Sequence, residues 1–180
     1  MDQLVEIKSK IQINPSRVGK KYFVKTFGCQ MNEHDSERIS GMFELDGMSK
    51  AISEEYADVL FVNTCTIREN ADDKLYGTLG QLKQWKSQKD NRKLLVGGCA
   101  AQKDKELVRE KAPWVDVVIG THNLTNVVDL LNRSEDWGPI TEIIDEIETL
   151  PTEAPSIRES EYSAWPVSYT HLTLPTTMLV

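Results

Sequence analysis

Three cysteines are the residues of this 180-residue chain best suited to chemistry. Cys29, Cys65 and Cys99 stand 36 and 34 residues apart, so none belongs to the Cys-x-x-Cys knuckle of a structural zinc site. Each nevertheless closes the same local pattern: a short apolar run, a turn, then helical periodicity. The runs are Tyr22–Phe27 before Gly28-Cys29, Val59–Val62 before Asn63-Thr64-Cys65, and Leu94–Val96 before Gly97-Gly98-Cys99. In an open parallel sheet the carboxyl ends of the strands share one edge, where α/β folds bind ligands. Three strand-end thiols are therefore expected to converge, and the helix starts that follow are expected to lower their pKa values. Three thiolates in one place repel one another unless a cation neutralises them, and sulfur selects zinc, copper(I) or iron-sulfur clusters. A cubane 4Fe-4S cluster normally takes four cysteines, so three would leave one iron open to another ligand, which implies chemistry rather than scaffolding. Zinc held by the cysteines with His122 or His34 is the competing metal site. Packing of all three cysteines as small core hydrophobes is the metal-free alternative.

The elements that must hold these thiols follow from hydrophobic period. From Tyr22 the chain alternates short β-branched or aromatic runs with longer helical patterns, the signature of a parallel sheet with crossover helices. Four such units are counted, the fourth strand being Val115–Ile119 before Gly120. The predicted fold class is α/β: an open, mostly parallel sheet of four to five strands with helices on both faces, flavodoxin-like or Rossmann-like in three layers. A helix is expected after Asn32, with Asp35 or Ser36 as N-cap, Ile39, Met42 and Phe43 on one face, and a stop at Gly47. Ala71, Leu75, Leu79, Leu82 and Trp85 step by four, four, three and three and form one buried stripe of a long helix. A shorter helix around Lys103–Lys111 is closed by Pro113, and a last one carries Leu124, Val127, Val128 and Leu131. Ile140, Ile143, Ile144 and Ile147 suit a helical turn or an edge strand equally. His34 reads as a solvated residue near a helix start, and His122 sits at the fourth strand end, on the edge the cysteines share.

Composition sets the outer bounds. A hydrophobic share of 39% and a charged share of 27% are those of an ordinary packed domain and exclude collagen-like or wholly disordered chains. Twenty-one Lys and Arg against 28 Asp and Glu leave a net charge of -7, so the chain lacks the basic surplus that phosphate neutralisation requires. No stretch approaches the roughly 20 apolar residues of a membrane span, and Met1–Glu6 has neither half of a signal peptide, so a cytoplasmic location is expected. An odd number of widely spread cysteines also suits a reducing compartment. The chain divides into a polar extension (1–20), one α/β domain (21–135), an acidic linker (136–165) and a tail (166–180). The stretch Ser163–Val180 contains no Asp, Glu, Lys or Arg and looks foreign to what precedes it.

Several other chemistries lack their motifs. There is no Gly-x-Gly-x-x-Gly after a strand, no Gly-x-x-x-x-Gly-Lys-Ser/Thr and no nucleophile elbow. A stand-alone α/β binding module with packed cysteines remains the alternative of another class. A receiver-like module would need acidic residues at the first strand end, and a flavodoxin a hydroxyl-rich loop there. Gly28-Cys29-Gln30-Met31-Asn32 supplies neither.

Three blocks in order carry a family resemblance. They are Thr26-Phe27-Gly28-Cys29-Gln30-Met31-Asn32 with Asp35-Ser36-Glu37, then Val62-Asn63-Thr64-Cys65-Thr66-Ile67-Arg68-Glu69-Asn70-Ala71, then Gly97-Gly98-Cys99-Ala100-Ala101-Gln102. Together they resemble the amino-terminal domain of the radical S-adenosylmethionine tRNA methylthiotransferases, in wording closest to the MiaB-type branch acting on N6-dimethylallyladenosine. The resemblance covers roughly residues 20–165. It implies that Cys29, Cys65 and Cys99 hold an auxiliary 4Fe-4S cluster used in sulfur insertion at C2 of the prenylated adenosine beside the tRNA anticodon. It further implies a following barrel, with a second 4Fe-4S cluster on Cys-x-x-x-Cys-x-x-Cys that cleaves S-adenosylmethionine, and a terminal β-domain that helps to hold tRNA. No cysteine follows Cys99, so that motif is absent here. The chain is accordingly expected to be a truncated family member ending in an unrelated tail. Alone, it would bind a cluster but lack catalytic residues and activity, contact tRNA only weakly, bind no membrane and be monomeric.

Overall fold

The computed structural model describes residues 14–65 and 71–144. Its sheet has six parallel strands: β1 (Lys21–Thr26), β2 (Ser49–Lys50), β3 (Val59–Thr64), β4 (Lys93–Gly98), β5 (Val117–Ile119) and β6 (Ile140–Glu142). Their order is β2-β1-β3-β4-β5-β6. Chain direction across the sheet reverses once, between β1 and β3, which is the flavodoxin-like switch point where such folds place ligands. The registers Thr26↔Asn63 and Thr64↔Gly98 bring the ends of β1, β3 and β4 level, so the turns that follow emerge side by side.

The helices cover both faces. They are α1 (Gln30–Leu45), α2 (Ala71–Ser87), α3 (Cys99–Asp104), α4 (Glu106–Lys111) and α5 (Val127–Trp137). Alternate strand residues sort cleanly between them. Leu60, Val62, Leu94, Val96 and Val118 pack with Leu75, Leu79, Leu82 and Trp85 of α2 and Val108 of α4. Val59, Phe61, Leu95, Val117 and Ile119 pack with Ile39, Met42 and Phe43 of α1 and Val127, Leu130 and Leu131 of α5. Strands apolar on both faces are what a parallel sheet sandwiched by helices requires. Full burial of one such side chain contributes roughly 1.5–3 kcal/mol, so the two layers rather than helix propensity hold the sheet together.

Particular elements differ from their sequence-based description. The sheet gains β2, two residues long and too short to show a period. Ile140 enters strand β6, which resolves the choice between turn and strand at that position; Ile147 and the tail lie outside the described residues. The fourth strand is shorter than Val115–Ile119, starting at Val117, because Asp116 turns its carboxylate to the Leu94 amide and to Lys86 and Lys93. The helix expected around Lys103–Lys111 begins at Cys99 and is broken at Lys105, whose φ of 48° no α-helix accommodates. Helix α1 starts ahead of Asp35 and Ser36, with Cys29 as N-cap, since Asn32 reaches back to the Cys29 amide.

The segment before β1 packs into the fold. Arg17 is fully buried, with its Nη2 donating to Asn132 and Glu135 at 2.9 Å and its Nε 3.5 Å from Asp46. Both Asp46 oxygens lack a hydrogen-bond partner. Burial, opposed by Arg17 and reinforced by Glu135, raises the Asp46 carboxyl to about 6. The folded chain therefore holds this proton more tightly than an unfolded one between about pH 4 and 6, and Asp46 contributes stability that is lost as pH rises through 6. Chemical denaturation of the protein and its Asp46→Asn variant is expected to show the parent gaining about 1 kcal/mol on the variant between pH 7 and pH 5. A constant difference would place the titration elsewhere.

Candidate functional site

The level strand ends carry the thiols. Cys29 follows β1, Cys65 follows β3 and Cys99 follows β4, three neighbouring strands flanking the switch point. None is in a disulfide. Two glycines set their approach. Gly98, at φ 93° and ψ -170°, occupies backbone space essentially closed to other residues. A methyl group on it would overlap the Thr64 carbonyl oxygen and crowd the Thr64 amide at 2.8 Å. Gly28, at φ 136°, sits so close to Cys65 that a methyl group there would overlap the Cys65 β-carbon. Both glycines press their cysteines' turns against the end of β3, and Cys65 is the centre of the arrangement.

A buried polar network lies beneath the three turns. Asn63 donates from Nδ2 to the Asn32 carbonyl at 2.8 Å and to Ser36 Oγ at 2.9 Å, and accepts at Oδ1 from Asn32 Nδ2 at 3.0 Å. Asn32 Nδ2 also donates to the Thr64 carbonyl at 3.1 Å, while its Oδ1 stands 3.4 Å from both the amide nitrogen and Sγ of Cys29. Thr26 Oγ1 donates to Ser36 Oγ at 2.8 Å, and Thr64 Oγ1 donates to the Gly97 carbonyl at 2.8 Å. The network thus stitches β1, α1, β3 and β4 together directly under the cysteines. Asn32, Ser36, Asn63 and Thr64 are all buried. Sequence reasoning gave these four no role in the site. The signal was a polar pair, Asn63-Thr64, closing a wholly apolar strand.

The electrostatics differ from the expected lowering of thiol pKa. Burial pushes the Cys99 thiol up, and the negative charges of Cys65, Cys29 and Asp35 add to it, outweighing its own backbone hydrogen bond. Helix α3, which Cys99 opens, is only six residues long. A cation beside Cys99 would offset the upward shift and favour its thiolate. The site is open to solvent beside Cys29, where Gly28, Cys29, Gln30, Met31 and Glu33 line a depression of about 420 Å³. Met31 is largely exposed at its rim. Among the described residues no three His, Cys, Asp or Glu side chains stand close enough to hold a single metal ion. His34 lies in α1 and His122 in the turn after β5.

A flavodoxin-like sheet with three cysteines, none in a disulfide, at neighbouring strand ends defines the class of protein. Comparison with known proteins makes it particular: residues 21–120, which include all three cysteines, match the uncharacterized protein family UPF0004, and the chain belongs to that family. It is similar to the tRNA-2-methylthio-N(6)-dimethylallyladenosine synthase of Corynebacterium urealyticum, 48% identical over 160 residues, 88% of this chain and 30% of that protein. The synthase of Tropheryma whipplei is 54% identical over 145 residues, 80% of this chain and 31% of the relative. The Leifsonia xyli synthase is 48% identical over 160 residues, 88% and 30%. The chain thus spans about 30% of the length of the curated relatives it matches.

The glycine beside Cys99 separates site geometry from helix propensity. Gly98→Ala is expected to destabilise the fold by about 3 kcal/mol or more. Gly77→Ala and Gly80→Ala, where an added methyl meets nothing within 4 Å, should each stabilise helix α2 by about 0.5–1 kcal/mol. Urea denaturation of the three variants checks the contrast.

Proposed function

We propose that this chain is the cluster-holding part of a tRNA methylthiotransferase, with Cys29, Cys65 and Cys99 as the thiolate ligands of an auxiliary 4Fe-4S cluster. The observation that carries this reading is the placement of three cysteines outside any disulfide at the ends of three adjacent parallel strands, on turns pressed together by Gly28 and Gly98. The donor set fits: soft sulfur ligands, an open side at Cys29, and a Cys99 thiol whose ionised form a cationic iron core would favour.

When bound, such a cluster would supply an iron left free of protein thiolate, through which sulfur is delivered. The polar network of Asn32, Asn63, Ser36 and Thr64 keeps the three turns in place, and the depression at Gly28–Met31 leaves the Cys29 side of the site open to solvent. In the reading adopted here the substrate is the N6-dimethylallyladenosine of a tRNA, and the product carries a methylthio group at C2. S-adenosylmethionine and a second cluster would be needed for the radical step. Only three cysteines occur in these 180 residues, and all three are taken by the first cluster. The chain by itself is therefore assigned cluster binding and no turnover. A cytoplasmic location goes with this function, and no helix among the described residues is long and apolar enough to cross a membrane.

Anaerobic reconstitution with iron and sulfide tests the proposal. About four irons per chain and the electron paramagnetic resonance of a reduced cubane are expected, both lost in Cys65→Ala. One zinc per chain with no iron uptake would replace the cluster by a mononuclear site, and three freely alkylated thiols with no metal would leave a plain binding module.

A further inference from the structure

Strand β6 is three residues long and lies at the sheet edge, so its ladder to β5 is a weak hold on its own. Two carboxamides on the cysteine side hold it and the residues just after it, Asn123 at Glu142 and Gln102 at Ile144. Gln102 sits in α3, three residues after Cys99, with its amide lying against Gly120 so closely that a methyl group there would overlap Gln102 Oε1. Its Oε1 accepts from the Thr121 amide at 3.2 Å, and its Nε2 donates to the Ile144 carbonyl at 3.0 Å. Asn123 donates from Nδ2 to the Glu142 carbonyl at 2.9 Å and to the Glu142 carboxylate at 3.2 Å. Both partners only accept, which fixes the orientation of the amide and leaves the buried Asn123 Oδ1 unpaired. The fold tolerates a costly orphan acceptor in order to hold Glu142. Arg133 clamps the same carboxylate from α5 at 2.9 Å.

We propose that Gln102 and Asn123 form a carboxamide clasp that couples the Cys99 turn to strand β6, making Gln102 a positioning residue for the third thiol. Cys99 and Gln102 share one six-residue helix, so neither end of it moves alone. A displacement of Ile144 is felt at Cys99 through the Gln102 side chain, and the position of Cys99 is felt at Ile144, just past β6, in return. Its meaning for cluster binding rests on the function proposed above, while the coupling itself is a property of the metal-free protein.

The experiment is thiol alkylation of the metal-free chain, read by mass spectrometry as the rate of Cys99 relative to Cys29 in the same molecule, alongside amide hydrogen exchange at Thr121. Gln102→Ala is expected to raise the Cys99 ratio roughly fivefold and to expose the Thr121 amide, with the Cys65 ratio unchanged. Gln102→Glu keeps the acceptor for Thr121 but loses the donor to Ile144, and should raise the Cys99 ratio while Thr121 stays protected. Asn123→Ala should raise the ratio only when Gln102 is present, so that the double variant behaves as Gln102→Ala alone. An unchanged Cys99 ratio in both Gln102 variants overturns the proposal. So does a parallel rise at all three thiols, which marks plain loosening, or strict additivity in the double variant. Should Gln102→Ala not fold, Gln102→Glu and Asn123→Ala decide the matter. Failure of the parent to take up iron would remove the ligand role of Cys99 without touching these rates.

Discussion

Two carboxamides facing each other across the end of the sheet, Asn32 and Asn63, are the contact on which the site depends. Between them they use both Asn63 N-H groups, the Asn63 oxygen and the Asn32 backbone carbonyl, in surroundings that water does not reach. A buried amide left unpaired costs about 1–3 kcal/mol, so this reciprocal pairing admits very few alternative placements of α1 against β3. Cys29 is fixed because Asn32 holds the start of α1, Cys65 because it follows Asn63-Thr64, and Cys99 because Gly98 seats on that same pair.

The rest of the molecule divides its labour. Apolar alternation builds two packed layers on the sheet and positions its strands without regard to chemistry. Polar contacts concentrate at the carboxyl edge, where helices begin and strands stop and backbone groups would otherwise go unpaired. The opposite edge carries its own buried polar knot, Arg17 with Asp46, Asn132 and Glu135, which fastens the segment before β1 onto α1 and α5. That knot tolerates unpaired atoms that the carboxamide pair does not, as the two lone Asp46 oxygens show. At Cys99 burial is joined by neighbouring negative charge, and both favour the neutral thiol.

Much of this was legible before any coordinates. The stripe Leu75, Leu79, Leu82 and Trp85 and the face Ile39, Met42 and Phe43 are buried as their spacing indicates, because helical period reports burial directly. The parallel sheet and the shared edge of the cysteines followed from repetition of one pattern. Strand β2 escaped because two residues hold no period, β6 stayed one of two alternatives at Ile140 because three residues hold little more, and the true start of α1 escaped because a cysteine is an uncommon cap. Asn63 and Gln102 sat in plain view within the motif blocks, yet their partners lie 31 and 42 residues away, and hydrogen bonding across such distances leaves no local trace. The lowered thiol pKa was expected from helix starts alone; burial and neighbouring charge, visible only in three dimensions, decide it at Cys99.

The wide separation of the three thiols has a temporal side. A ribosome delivers Cys29 well before Cys65 and Cys99, and β1 finds its neighbour β3 only after the helix and edge strand between them have been made. Parallel pairings of this kind form late, since long loops must close before any contact rewards them. A nascent chain therefore shows its sulfurs one at a time, each without companions, and offers a three-point grip only after the central strands have assembled. Anything that requires all three must meet a finished domain, and the order of events in the cell is written into the order of the strands.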